Sequence, residues 1–156
     1  MQSVYKIKEG GQTEIMSGLI QLHSETQTLF LKTKKYYWNA TEPVFQTYHM
    51  MFEEQSTELV QGFDLIVERI GILGGSVSGS QDMLKNPSAT REMENFPKEP
   101  EMIDDLLLAH ELAIISALSL FSESIKIRDD LTTDLLTRRI RSHQRTALRL
   151  KSLLNT

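Results

Sequence analysis

The side chains with spacing suited to chemistry lie between residues 45 and 70. His49 and Glu53 stand four residues apart, and so do Asp64 and Glu68. On a helix, side chains at i and i+4 are neighbours and can share a cation. At about 100° per residue, all four fall in one sector, centred roughly 120° from the apolar residues of the same segment. Imidazole and carboxylate together suit iron, zinc or manganese. The plain alternative is a solvated flank, although Val60 and Val67 near it make the flank less than purely polar.

Glu53 and Asp64 are eleven residues apart, or about 16 Å along a helix axis. One chain therefore cannot bring both pairs to one metal ion. An antiparallel two-fold partner can, if the axis crosses this helix between residues 58 and 59. Symmetry then creates two identical sites, one at each end of the contact. Gly62, costly inside a helix, falls near that axis and would permit close approach there.

Four helices are predicted to position these groups. Ile15, Leu19, Leu22, Leu29 and Phe30 define the first, at about 13–38. Thr41 can cap the second and Pro43 suits its first turn. The second carries Phe45, Tyr48, Phe52, Leu59, Phe63, Ile66 and Ile70 and stops at Gly74-Gly75. Residues 74–100 are rich in Gly, Ser and Pro and read as a crossover with a short helix at 80–85. A third helix shows Ile103, Leu107, His110, Ile114, Ala117 and Phe121, and a fourth Leu136, Ile140, His143, Ala147, Leu150 and Leu154. Four helices with one long connection between the second and third make an all-α, ferritin-like four-helix bundle over 13–156, preceded by a tail at 1–12.

Composition agrees. A chain of 156 residues, 40% hydrophobic and with four Pro, suits one domain with a substantial core. The absence of cysteine excludes disulfides, thiolate metal sites and a Cys nucleophile. A net charge of -4 argues against a surface that coats nucleic acid. No apolar run reads as long enough to span a bilayer, and the start lacks a signal peptide, so a soluble cytoplasmic protein without membrane contact is expected.

The segments "LKTKKYYWNATEPVF", "YHMMFEEQSTEL", "FDLIVERIGILGG", "MIDDLLLAHE" and "LLTRRIRSHQRTALRLKSLL" resemble the Dps family, the DNA-protection-during-starvation mini-ferritins. The resemblance covers nearly all of the chain after residue 13. It implies a hollow dodecamer that oxidises Fe(II), usually with hydrogen peroxide, and stores ferric mineral. It also implies di-iron centres between two-fold-related subunits, with zinc as an inhibitor or substitute. His49 then matches the second His of that centre, and Glu53 a position usually held by Asp. Asp64 and Glu68 match the partner's ligands, and Trp38 the Trp beside the centre. Tyr37 departs from the pattern, because the family usually has His before this Trp. A neutral phenol is a poor ligand for Fe(II), whereas a phenolate is a good hard ligand for Fe(III). Tyr37 is thus a bystander beside a weaker centre, a member of the iron shell, or the mark of a lost centre. The alternatives to a ferroxidase are a structural or DNA-protecting cage with an impaired centre and a cage that binds metal without turnover.

Asp129 and Asp134 open the fourth helix. They serve its dipole or, by the resemblance, line the pores where iron enters; Ile125 stands where some members have another acid. His110 and His143 are expected as hydrogen-bonded residues at the core's edge, His23 as exposed, and Tyr36 as packing. Arg138, Arg141, Arg145 and Arg149 form a stripe that can bind phosphates or pair with acids of other subunits, the latter preferred for an acidic chain. Residues 1–11 offer only Lys6 and Lys8, offset by Glu9, so DNA binding is expected to be weak or absent.

Overall fold

The computed structural model describes residues 11–40, 45–77 and 99–154. They form four helices: α1 (Gln12–Asn39), α2 (Phe45–Ile72), α3 (Glu99–Lys126) and α4 (Asp130–Leu154). No strand occurs among the described residues. Thr41, Pro43, the short helix at 80–85 and nearly all of the tail lie outside the described residues. The hairpins α1–α2 and α3–α4 each pack along their length, α1 also packs on α3, and α2 meets α4 only sparsely. That sparse contact leaves a groove between α2 and α4.

The helix ends follow from backbone chemistry. At the end of α2, Gly75 N–H donates to Ile70 O at 2.9 Å and Gly74 N–H to Gly71 O at 3.0 Å, with Gly74 at φ 90°. This is the paired closure that favours glycine at the left-handed position. The same closure ends α3, where Asp129 N–H reaches Ser124 O at 2.9 Å and Arg128 N–H reaches Ile125 O at 3.1 Å. There the left-handed residue is Arg128, at φ 60°, at a cost of about 1 kcal/mol relative to Gly. Asp129 then caps α4 directly. Its carboxylate accepts the Thr132 N–H at 3.2 Å and the Thr132 hydroxyl at 2.5 Å.

The predicted apolar spacing becomes the core. Phe52, Leu59, Ile66 and Ile70 of α2 are fully buried, each worth about 1.5–3 kcal/mol of burial. Two apolar clusters result. One gathers around Leu19, Ile70, Ala117 and Leu136, the other around Leu29, Phe52, Leu106 and Leu150. α3 corrects one expectation: Pro100–Lys126 is long and apolar enough to cross a membrane, with a mean hydropathy of 1.5. In the bundle, its Ile103, Leu106, Ala113, Ala117 and Leu120 are buried against other helices, while Leu108, Ile115, Leu118 and Ile125 are exposed.

A polar waist lies along the bundle's interior. Glu25 is buried, and its carboxylate accepts from Ser116 at 2.9 Å and Gln21 at 3.1 Å; burial raises its pKa. His110 and His143 are fully buried, with their Nδ1 atoms 2.9 Å apart. Arg139 is ion-paired to Glu58, and its Nη2 donates to His143 Nε2 at 3.5 Å. Because His143 Nε2 accepts, its proton sits on Nδ1 and is donated to His110 Nδ1. The His110 proton is then on Nε2, which has no hydrogen-bond partner among the described residues. Burial holds both histidines neutral, lowering His143 to about 3 and His110 well below its usual range. They are hydrogen-bonded as expected, but lie inside the core and not at its edge. His23 does not follow expectation: it is 4% exposed and packs on Phe63 at 4.1 Å between ring centroids.

Candidate metal centre

The end of α1 turns three successive aromatics in three directions. Tyr36 points inward, 1% exposed, and its hydroxyl donates to Asp105, which also accepts from Lys32 at 3.1 Å. Burial, and then the Asp105 carboxylate, keep that phenol protonated by raising its pKa. Tyr36 is therefore a packing residue. Tyr37 lies on His49, with ring centroids 3.8 Å apart and planes 25° apart. Trp38 projects outward, 68% exposed.

His49 is held from two directions. Tyr37 stacks on its ring, and the Tyr37 carbonyl oxygen lies 3.1 Å from its Nδ1. A carbonyl can only accept, so in the neutral imidazole Nδ1 carries the proton and Nε2 the lone pair. Such a second contact fixes tautomer and ring direction in metal-binding histidines. Tyr37 thus contributes its ring face and its carbonyl to the orientation of His49. Lys34 Nζ sits 4.7 Å from the centroid of the Tyr37 ring, a neighbour that the spacing did not reveal.

Glu53, Asp64 and Glu68 are all exposed on α2. Among the described residues, none of the three is ion-paired to a basic side chain. Nor do the described residues of one chain bring three His, Asp or Glu side chains together around a cation position. The His49/Glu53 pair and the Asp64/Glu68 pair are thus presented on one helix but not joined, as their separation requires. Trp38, Leu31 and Val60 leave apolar surface exposed on the same α1–α2 hairpin.

The other candidates divide. Asp129 is 2% exposed and fully engaged, capping α4 and taking an ion pair from Arg69 Nη2 at 2.6 Å. That places it in the helix-end role. Asp134 is exposed and pairs with Arg138 at 3.1 Å one turn along α4, and Ile125 is exposed on α3. Gly62 is buried, and a Cβ there would collide with the Arg139 guanidinium. Its missing side chain therefore makes room for an ion pair inside this chain, not for an approaching partner. Of the arginine stripe, Arg149 pairs with Glu54 at 3.1 Å within the chain, as Arg138 does with Asp134. Arg139, which lies off that stripe, is the buried one.

The ferritin-like domain profile matches residues 18–156, and the chain belongs to that family. Within it, the chain is of the Dps type. A Dps from Thermosynechococcus elongatus superposes with a TM-score of 0.88 at 28% identity, covering 92% of each chain. A low temperature-induced protein of Nostoc, itself uncharacterised, is 29% identical over 155 residues, 96% of this chain and 87% of that protein. A Dps protein from Vibrio cholerae, described as a member of a broad superfamily of ferritin-like diiron-carboxylate proteins, shares the fold. It has a TM-score of 0.88 at 18% identity, over 98% of this chain and 99% of that one.

Proposed function

We propose that this protein is a cage-forming mini-ferritin that oxidises Fe(II) with hydrogen peroxide and stores the ferric product. Its reaction centres are completed across a two-fold contact between subunits. The observation that carries this reading is the exposed flank of α2, with two i,i+4 ligand pairs and three carboxylates not ion-paired to any basic side chain among the described residues. Carboxylates accept both oxidation states of iron, and an oriented imidazole adds a borderline donor.

Iron is the substrate here. His49 and Glu53 of one chain would hold it together with Asp64 and Glu68 of a partner. Two Fe(II) supply the two electrons that, with two protons, reduce one peroxide to two waters. Tyr37 acts as a positioning residue for His49. Trp38 seals the edge of the centre once a partner covers it. In this reading the oligomer is the dodecamer of the family, and duplex DNA binds weakly.

A second reading, a protective cage with a weakened centre, is favoured by one observation. The Tyr37 ring lies flat on His49, where the resemblance leads one to expect a further nitrogen ligand. One measurement separates the two. Fe(II) is added to iron-free protein with peroxide or oxygen, and ferric absorbance is followed. Oxidation well above a protein-free control is expected with peroxide. A rate equal to the control removes the ferroxidase reading.

A further inference from the structure

The groove between α2 and α4 is lined by Arg138, Arg139, Arg141 and Arg145, and holds about 740 Å³. Among the described residues that line it, Glu58 is the only carboxylate, and that group is already ion-paired to Arg139. Arg138 pairs with Asp134. Among the described residues, Arg141 and Arg145 have no carboxylate partner, although both are exposed and i,i+4 neighbours. Like charges at that spacing repel, so an anion between them relieves a cost built into the helix. Arg139 forms the deep side of the groove. It is 3% exposed, and its Nε lacks a hydrogen-bond partner among the described residues.

We infer that this groove binds inorganic phosphate. Guanidinium groups present parallel N–H donors that match phosphate oxygens two at a time, and among the described residues the cationic lining is all arginine. Ser142 and Gln144 add neutral donors. The site is a concavity between two helices in a chain of net charge -4, which favours a small anion over the convex backbone of a duplex. Its position suggests a use. Arg138 also lines the adjoining depression that contains Glu68 and Asp134, so the groove borders the depression that holds a candidate iron ligand. Ferric ion and phosphate would thus be delivered to the same mineral. That use rests on the ferroxidase reading; the binding site itself does not.

The test uses the full chain, free of iron, titrated calorimetrically with inorganic phosphate in a low-chloride buffer. Saturable binding is expected, weakening as salt rises. Arg141→Gln with Arg145→Gln should lower the association constant by roughly tenfold or more. Arg141→Lys with Arg145→Lys should give an intermediate loss, because charge survives but the paired donors do not. Arg149→Gln, outside the groove, should bind as the parent does. Three results overturn the inference: no saturable binding to the parent, a double Gln variant that is folded by circular dichroism yet binds normally, or duplex DNA bound through Arg141 and Arg145 without competition from phosphate. If phosphate binds but Fe(II) is not oxidised, the ferroxidase reading falls and this one stands.

Discussion

His49 and the His110–His143 pair sit on the same fold and use the same ring, yet they are prepared for opposite tasks. His49 is half-buried, with Nδ1 facing a carbonyl and exposed carboxylates on its own helix. His110 and His143 are enclosed, bond to each other, and border an Arg139–Glu58 pair whose charges already match. Imidazole alone does not make a metal site. What separates the two regions is whether negative charge nearby remains uncommitted.

The comparison breaks most sharply at Arg139. Arg139→Ala leaves Glu58 without its cation and His143 Nε2 without its donor, and should cost about 3 kcal/mol or more. A shift in the urea midpoint measures this. Fe(II) oxidation per folded chain should stay near the parent value, and a large loss of rate would erase the proposed division of labour. The opposite pattern is expected for Asp64→Asn with Glu68→Gln. Both sites are exposed, so stability should change little, while peroxide-driven oxidation should fall on the order of 100-fold.

Acid probes the waist, together with His23, whose pKa burial also lowers. His110 and His143 have folded pKa values below the unfolded value of about 6.5. Their neutral burial therefore costs nothing above that pH. As pH falls below it, the unfolded chain takes up protons that the folded chain refuses, and stability declines. Between pH 7 and 5.5 the loss should be about 1 kcal/mol for each histidine. It continues toward about 3 for His143. A His143→Gln variant should show a flatter profile, and an unchanged slope would rule out the pair as its source. The smallest expected effect is at Tyr37. Tyr37→His should speed Fe(II) oxidation roughly tenfold by adding a donor, whereas Tyr37→Phe, which keeps the stacked ring, should leave the rate near the parent's. A slower or unchanged Tyr37→His would mean that the stack matters more than an added ligand.

Much of the fold was legible because helical period reports which face a residue occupies. Phe52, Leu59, Ile66 and Ile70 read as core and are core. The exposed flank of α2 with Glu53, Asp64 and Glu68 was legible for the same reason, including why one chain cannot bring its two pairs together. Period says nothing of what a neighbouring helix places opposite. Phe63 covering His23, Arg69 reaching Asp129, and Arg139 lying on Gly62 are all contacts made from a different helix or its cap. Each reverses or narrows a reading made from one helix alone. The length of the apolar run in α3 was underread, because Asp104, Asp105, His110 and Glu111 interrupt its first half and hide a window that is apolar on average.

The seat of Arg139 on Gly62 has a bearing on how such chains diverge. A side chain at 62 needs a shorter residue at 139, which would strand Glu58 and His143 unless they changed as well. Positions 58, 62, 139 and 143 are therefore expected to vary as a linked set across descendants of this sequence, while the exposed arginines around them drift independently.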